Sequence, residues 1–474
     1  MMRRLIAGLA ISLQASAALA VPAVDSRAVV AQVLAGQTIN AAFYGLTCDG
    51  STDNSSALNL IHTASAAKTG QTVYFPPQSN TCITSAAING TPNTIYFAYP
   101  GTVTLKVKAS SSASPLLFSA ASTHDILVYG LTFDGNVASV GNANNVTLNY
   151  YGKNIVFDHV TWQNTRGIAL LFSGDIVTSG VRDSVFNNIG NYWQTSGSAS
   201  DRAQAFDSCC ATATANSYGN FSIGNKFLNV GLDSVSTGGQ TNFQFENNYC
   251  FNSVQQWLTL SSLAYNACIY ASGIDGLTAI GNIANGMSGN AFDLPGGKRL
   301  VISGNLLANS GQAGIGLFAV TNFTVTGNQL YNNGQWSSSV WFGGITFDDV
   351  NTNGVVSGNI ATDYQSTKTQ PYGLDASTYT GQGHSAVQLV NVDIDPNNRF
   401  QGNLTGDVHN ANYGLQAVTV ASLEACSATT KLNRAWVTDA LSPTFLATVV
   451  GGGSSVPFTP VFCNGTNWVV GSGL

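Results

Sequence analysis

Between about residues 123 and 410 the apolar positions fall in short alternating runs. Gly167-Ile168-Ala169-Leu170, Ala313-Gly314-Ile315-Gly316-Leu317, Gly344-Ile345-Thr346-Phe347 and Ala386-Val387-Gln388-Leu389 are examples. Alternation sends one set of side chains inward and the other outward, as in a half-buried strand. A second pattern punctuates the first. A Gly-Asn pair recurs in Ile223-Gly224-Asn225, Ile280-Gly281-Asn282, Ser303-Gly304-Asn305, Thr326-Gly327-Asn328, Ser357-Gly358-Asn359 and Gln401-Gly402-Asn403, and Phe245-Glu246-Asn247-Asn248 holds the same place in another repeat. The steps from Asn225 to Asn248, Asn282 to Asn305 and Asn305 to Asn328 are each 23 residues. Three short strands and their turns fill such a period, which predicts the coils of a parallel β-helix. Stacked Asn side chains can pass amide hydrogen bonds from coil to coil and satisfy buried turn backbone. The preceding Gly allows the tight turn. Repeats longer than 23 residues, as at 191–200 and 335–340, must leave the solenoid as loops, where binding surfaces are usually built.

Outside the repeat the pattern changes. Met1-Met2-Arg3-Arg4 precedes an apolar run, Leu5 to Ala20, that ends in Ala18-Leu19-Ala20. A positive end, an apolar middle and a small-residue ending predict a secretory signal peptide over 1–20. The run is shorter than the ~20 residues a membrane span needs. After about Asn412 the coil pattern stops, and 413–474 reads as a small β-module bracketed by Cys426 and Cys463. The expected division is therefore a signal peptide, a β-helix with its N-terminal cap over 21–412, and this module.

Composition narrows the functional classes. Charged residues are 8% of the 474-residue chain, about a third of the usual share. With 44% hydrophobic residues the chain can nevertheless bury a large core, which separates it from disordered polar sequence. A net charge of -6 offers no basic surface for nucleic acid. It favours a neutral or cationic partner, or a glycan met through hydroxyls and rings. The eight cysteines are expected to be oxidised in an exported chain, extracellular or periplasmic. Cys48–Cys82 and Cys426–Cys463 are the expected bridges of the two ends. Of the central four, Cys250–Cys268 is the favoured pair, leaving vicinal Cys209 and Cys210. No C-x-x-C pair suggests zinc, and no metal or cofactor is expected.

The stretches Asp49-Gly50-Ser51-Thr52-Asp53-Asn54 and Val73-Tyr74-Phe75-Pro76-Pro77 resemble the N-terminal signature of the pectate-lyase-like superfamily. That resemblance implies a helix between them over about Ser55–Ala67 and an all-β right-handed parallel β-helix that this helix caps, a scaffold shared by hydrolases, lyases, epimerases and phage tailspikes. It implies turn and capping roles for Asp49 and Asp53. Ala435-Trp436-Val437-Thr438-Asp439, Gly451-Gly452-Gly453 and Phe462-Cys463-Asn464-Gly465-Thr466-Asn467-Trp468 resemble a terminal module of some phage tail and secreted bacterial proteins. A cap, trimerisation or wall attachment would follow, so monomer and homotrimer both stay open.

Candidate chemistry comes from aligning the second strand of successive coils. Ala205-Phe206-Asp207, Gly231-Leu232-Asp233, Cys268-Ile269-Tyr270, Ala291-Phe292-Asp293 and Ile315-Gly316-Leu317 are taken as in register. Asp207, Asp233 and Asp293 then form an outward column, with Tyr270 between them. Paired carboxylates suit glycosidic hydrolysis, one as acid and one as base or nucleophile. Trp193, Trp257, Tyr270 and Trp336 are candidates for stacking on sugar. Arg202, Lys298 and Arg299 are expected near the column as substrate-binding cations. His384 and the oxygen-rich Asp348-Asp349 and Asp393-x-Asp395 are weaker candidates; solvated turns are the expectation for both acidic pairs. The expected partner is a polysaccharide or oligosaccharide, with no nucleic acid and no membrane. The expected reaction is glycoside hydrolysis; a uronic-acid lyase or epimerase and a non-catalytic glycan binder are the alternatives.

Overall fold

The computed structural model describes residues 38–471 except 69, 110–116, 120–122, 140–146, 191–202, 210–216, 253–265, 337–342, 378–385, 412–416, 424, 428–433, 442 and 453–458. The signal-peptide segment lies outside the described residues.

The chain winds into a right-handed parallel β-helix with three faces. Strands Phe206–Cys209, Val235–Gly238, Ile269–Ser272, Phe292–Pro295, Ile315–Phe318, Ile345–Asp348, Tyr372–Asp375 and Gly406–His409 succeed one another along face 1. Face 2 runs through Phe221–Ile223, Thr241–Glu246, Asp275–Ile280, Lys298–Ser303, Thr321–Thr326, Val350–Ser357 and Gln388–Ile394. Face 3 is a 12-stranded sheet ending in Gln329–Tyr331, Ile360–Thr362 and Arg399–Gln401. Every coil-to-coil pairing is parallel, so each strand lends both edges to its neighbours and the coils bury one continuous core. Rings stack inside it at coil spacing: Trp162 on Phe186 at 4.4 Å and Phe186 on Phe227 at 4.8 Å.

The asparagine column forms as its spacing predicts. Side-chain amides donate upward from Asn225 to Asn248 (3.1 Å), Asn248 to Asn282 (3.0 Å), Asn282 to Asn305 (2.9 Å), Asn305 to Asn328 (2.8 Å) and Asn328 to Asn359 (2.9 Å). The last rung corrects the sequence reading. Asn359 donates to Asn398, not Asn403. Asn398 precedes its face-3 strand as Asn359 does, whereas Asn403 follows that strand and accepts from Gln370. The same dipeptide thus serves a different turn. At the position before the column residue, Gly281 and Gly304 have φ +68 and +65, and Asn247 takes the same left-handed conformation at φ 54.

The cap is the helix Ser55–Ala66, with Leu58 and Ile61 buried against the core. Asp53 accepts from the Ser55 N–H and, across the first coil, from the Ser85 N–H and hydroxyl. Asp49 accepts from the Thr52 hydroxyl and from the Thr52 and Ser51 N–H groups, and these donors hold its carboxyl below the usual range. The Cys48–Cys82 bridge ties this turn to the first coil. Cys250–Cys268 and Cys426–Cys463 are also joined, while the Cys209 and Cys210 side chains lie outside those described. Beyond the coils, Ala417–Val418, Arg434–Val437, Thr459–Cys463 and Trp468–Val470 form a separate four-stranded sheet with its own core of Val437, Val461 and Trp468. No described helix is long and apolar enough to cross a membrane.

Candidate active site

Face 1 carries a polar column on its outer side. Cα pairing places Asp207, Ser236, Tyr270, Asp293, Gly316, Thr346, Asp375 and His409 in successive coils. Phe206, Val235, Ile269, Phe292, Ile315, Ile345 and Leu374, each one residue earlier, are fully buried inside. Asp207 and Asp293 therefore point outward, as their apolar neighbours predict, with Tyr270 between them.

Asp233 departs from the predicted register. Val235, not Leu232, pairs with Phe206, so Ser236 takes the column place and Asp233 stands in the turn before the strand. The backbone fixes this. Phe206 N–H donates to the Ser234 carbonyl and Val235 N–H to the Cys268 carbonyl. Gly231-Leu232-Asp233 imitates Ala205-Phe206-Asp207 in sequence but is a turn. The register also differs at Ile315-Gly316-Leu317, where Gly316, one residue earlier than predicted, faces Asp293. Asp207 and Asp293 are thus three coils apart, or ~14 Å.

From its turn Asp233 still reaches the column's field. Its Oδ1 accepts from the Ala267 N–H of the next coil at 2.8 Å. Burial pushes its carboxyl up to about 8; the Ala267 bond opposes this, and Asp293, then Asp207, add to it. Asp293 is raised by burial to about 6, against a hydrogen bond from Asn290. Asp207 is raised by burial to about 6, against one from Ser236. Its Oδ1 is buried without a hydrogen-bond partner, an expensive state in a finished structure.

Gly316 shapes the Asp293 end. A Cβ there would stand 2.8 Å from the Asn290 amide nitrogen and 2.7 Å from the Phe318 ring. Asn290 is itself anchored, its Oδ1 accepting from the Ala313 N–H at 3.0 Å. The empty position opposite Asp293 is filled by the amide that binds Asp293.

A second cluster lies farther along the same face. Asp375, fully buried, accepts from the Ser377 hydroxyl at 2.5 Å and lies 2.9 Å from His409 Nδ1, while its Oδ2 lacks a partner. His409 stacks flat on Tyr372 at 4.4 Å. Asp348 is 1% exposed at the end of its strand, which corrects the expectation of a solvated turn. Burial raises the Asp375 carboxyl, and nearby Asp348 adds to that. Sequence reasoning missed Asp375; the apolar-Asp ending of Tyr372-Gly373-Leu374-Asp375, like that of Phe206-Asp207, was the available signal.

Two of the three proposed cations are not at this column. Lys298 and Arg299 lie exposed on face 2, and Arg299 pairs with Asp275 at 2.6 Å. Proximity in sequence to Asp293 misled, because a two-residue turn carries the chain around a corner of the solenoid. Trp336 is half-buried in the turn leading to Ile345–Asp348, its N–H bonded to the Gly311 carbonyl. Trp193, Arg202, Trp257 and His384 lie outside the described residues. One cluster has ligand-like geometry, Asp158, His159 and Asp183. Arg182 already grips Asp158 Oδ2 at 2.7–2.9 Å and His159 lies against Oδ1, so ion pairing accounts for it.

No family model and no curated protein matches the sequence. Among solved structures, the chain is similar to the A-module of Azotobacter vinelandii mannuronan C-5 epimerase AlgE6, with TM-score 0.56 and 15% identity over 80% of this chain and 100% of that one. The AlgE4 A-module from the same organism gives 0.54 and 14% over 80% and 98%. The Dettilon tailspike protein gp208 gives 0.54 and 11% over 79% and 68%. At these identities the likeness is one of fold.

Proposed function

We propose that the protein is a secreted polysaccharide-degrading enzyme, a glycoside hydrolase whose working pair is Asp233 and Asp293. The observation that carries this reading is the gathering of carboxyls at one face: Asp207 and Asp293 share the outward column, Asp233 joins them from the turn beside it, and burial raises all three. Asp233 is raised furthest, with the charges of Asp293 and Asp207 adding to burial, so it is the one that keeps a proton to give while Asp293 ionises, the division of labour that glycosidic cleavage needs. Asp233 acts as general acid on the leaving oxygen and Asp293 as base or nucleophile. Asp207, without a hydrogen bond on one oxygen, receives a substrate hydroxyl, and Tyr270 lies between them to orient sugar or water. The mannuronan epimerase and tailspike folds support a glycan as partner, and three disulfides support an oxidising compartment.

A polysaccharide digestion screen with wild type, Asp233→Asn and Asp293→Asn tests the reading. Each substitution keeps shape and removes the ionisable proton. Loss of about 10²–10⁴-fold in kcat is expected, with wild-type activity peaking between about pH 6 and 8. Products carrying a new ultraviolet-absorbing double bond would instead mark elimination. Wild-type rates in both variants would place the chemistry elsewhere.

A further inference from the structure

The charge pattern of face 1 speaks to the substrate. The strands from Phe206–Cys209 to Gly406–His409 contain no Lys or Arg. They carry Asp207, Asp293, Asp348, Asp375 and Asp407, and Asp233 stands at their edge. Among the described residues that lead into these strands, 203–205, 231–234, 266–268, 286–291, 309–314, 332–336, 343–344, 363–371 and 402–405, Lys368 is the one cation. Lys368 is committed to the Asp363 carbonyl, and Arg202 lies outside the described residues. Of the basic side chains in neighbouring coils, Arg182, Lys298 and Arg299 are on face 2 and Lys226 is on face 3, while Arg166 stands half-buried in the turn into Leu170–Val177, the strand that pairs with Phe206–Cys209.

Two buried carboxylate oxygens on this face, Asp207 Oδ1 and Asp375 Oδ2, have no donor. A buried acceptor without a donor is costly, and a ligand that supplies one recovers that cost. A polyuronate or sulfated glycan brings the wrong groups. Its anions would lie against carboxylates in a site with little solvent screening, where like charges repel.

Resting on the reading of face 1 as the substrate surface, we infer that the protein's glycan carries no carboxylate or sulfate and presents hydrogen-bond donors, hydroxyl or ammonium, to the Asp column. This separates it from the mannuronan named for the epimerases that share its fold. Low net basicity alone would not do so; the exclusion of cations from one face, strand after strand, does.

Affinity electrophoresis of the full-length chain is the test, run with wild type and Asp293→Asn. The gels contain alginate, polygalacturonate, a panel of neutral glucans and galactans, or partly deacetylated chitin. Retardation by a neutral or amino-bearing glycan at least about tenfold stronger than by either polyuronate is the expected result. Salt distinguishes the two donors, since binding through ammonium weakens with ionic strength and binding through hydroxyl does not. Stronger retardation by a polyuronate overturns the inference, and so does retardation by none of the anion-free glycans. A retarded glycan that wild type leaves uncut would sink the hydrolase reading and leave this one standing.

Discussion

The rise that burial imposes on the Asp293 carboxyl is opposed by Asn290, a neighbour that belongs to no motif. Asn290 donates to it and is in turn fixed by Ala313, in space that exists because residue 316 has no side chain. Removing that donor leaves burial unopposed and must raise the Asp293 carboxyl further. Asn290→Ala and Gly316→Ala are therefore expected to move the acid limb of the pH–rate profile upward, without moving the alkaline limb set by Asp233. An unmoved acid limb in both variants would show that Asn290 has no hold on Asp293. The outward aim of Asp207 and Asp293 was legible in sequence, because each follows a large apolar residue that only the core can take. The place of Asp233 was not. Leu232-Asp233 offers the same two-letter signal from a turn, and backbone hydrogen bonds at Ser234 and Val235 decide the difference.

At the scale of the coil, the repeat was readable because one residue type recurs where the turn backbone needs it. Each column Asn both receives and donates. Asn305 takes the Asn282 amide on Oδ1 and gives its own amide to Asn328 and to the Ala279 carbonyl. Asn305→Ala strands buried donors and acceptors on both sides, a loss of about 1–3 kcal/mol for each group left unsatisfied. Denaturant unfolding should show it as a lower midpoint with an unchanged slope. A variant as stable as wild type would mean that water replaces the amide. Asn403 shows where such reading stops. Its Gly-Asn pair matches the column motif, yet it follows the strand Arg399–Gln401, and the column passes to Asn398 in the turn before that strand. Periodicity marks turns; which of a coil's turns is marked depends on the length of the strand before it.

The whole molecule is one stacked core from the cap to His409, followed by a sheet with its own apolar cluster. That separation supports a module over 413–474 distinct from the solenoid. Because each coil rests on the next, truncation after Asn328 is expected to bare core residues such as Leu317 and Val325 and give insoluble protein. Recovery of a soluble fragment with native circular dichroism would contradict a single stacked core. The fold was legible throughout because cap, repeat and disulfide spacing agree. The site was legible only in part, since sequence order does not say which face a residue meets: Arg299, six residues from Asp293, is around the corner from it.

Carboxyl-carbon NMR titration of the full-length protein, with resonances assigned through Asp233→Asn and Asp293→Asn, measures directly how unequally these two carboxyls hold their protons. Both are expected to titrate above the usual aspartate range, as a coupled pair, with Asp233 the more strongly raised. Both groups titrating together near ~4, as exposed aspartates do, would contradict this.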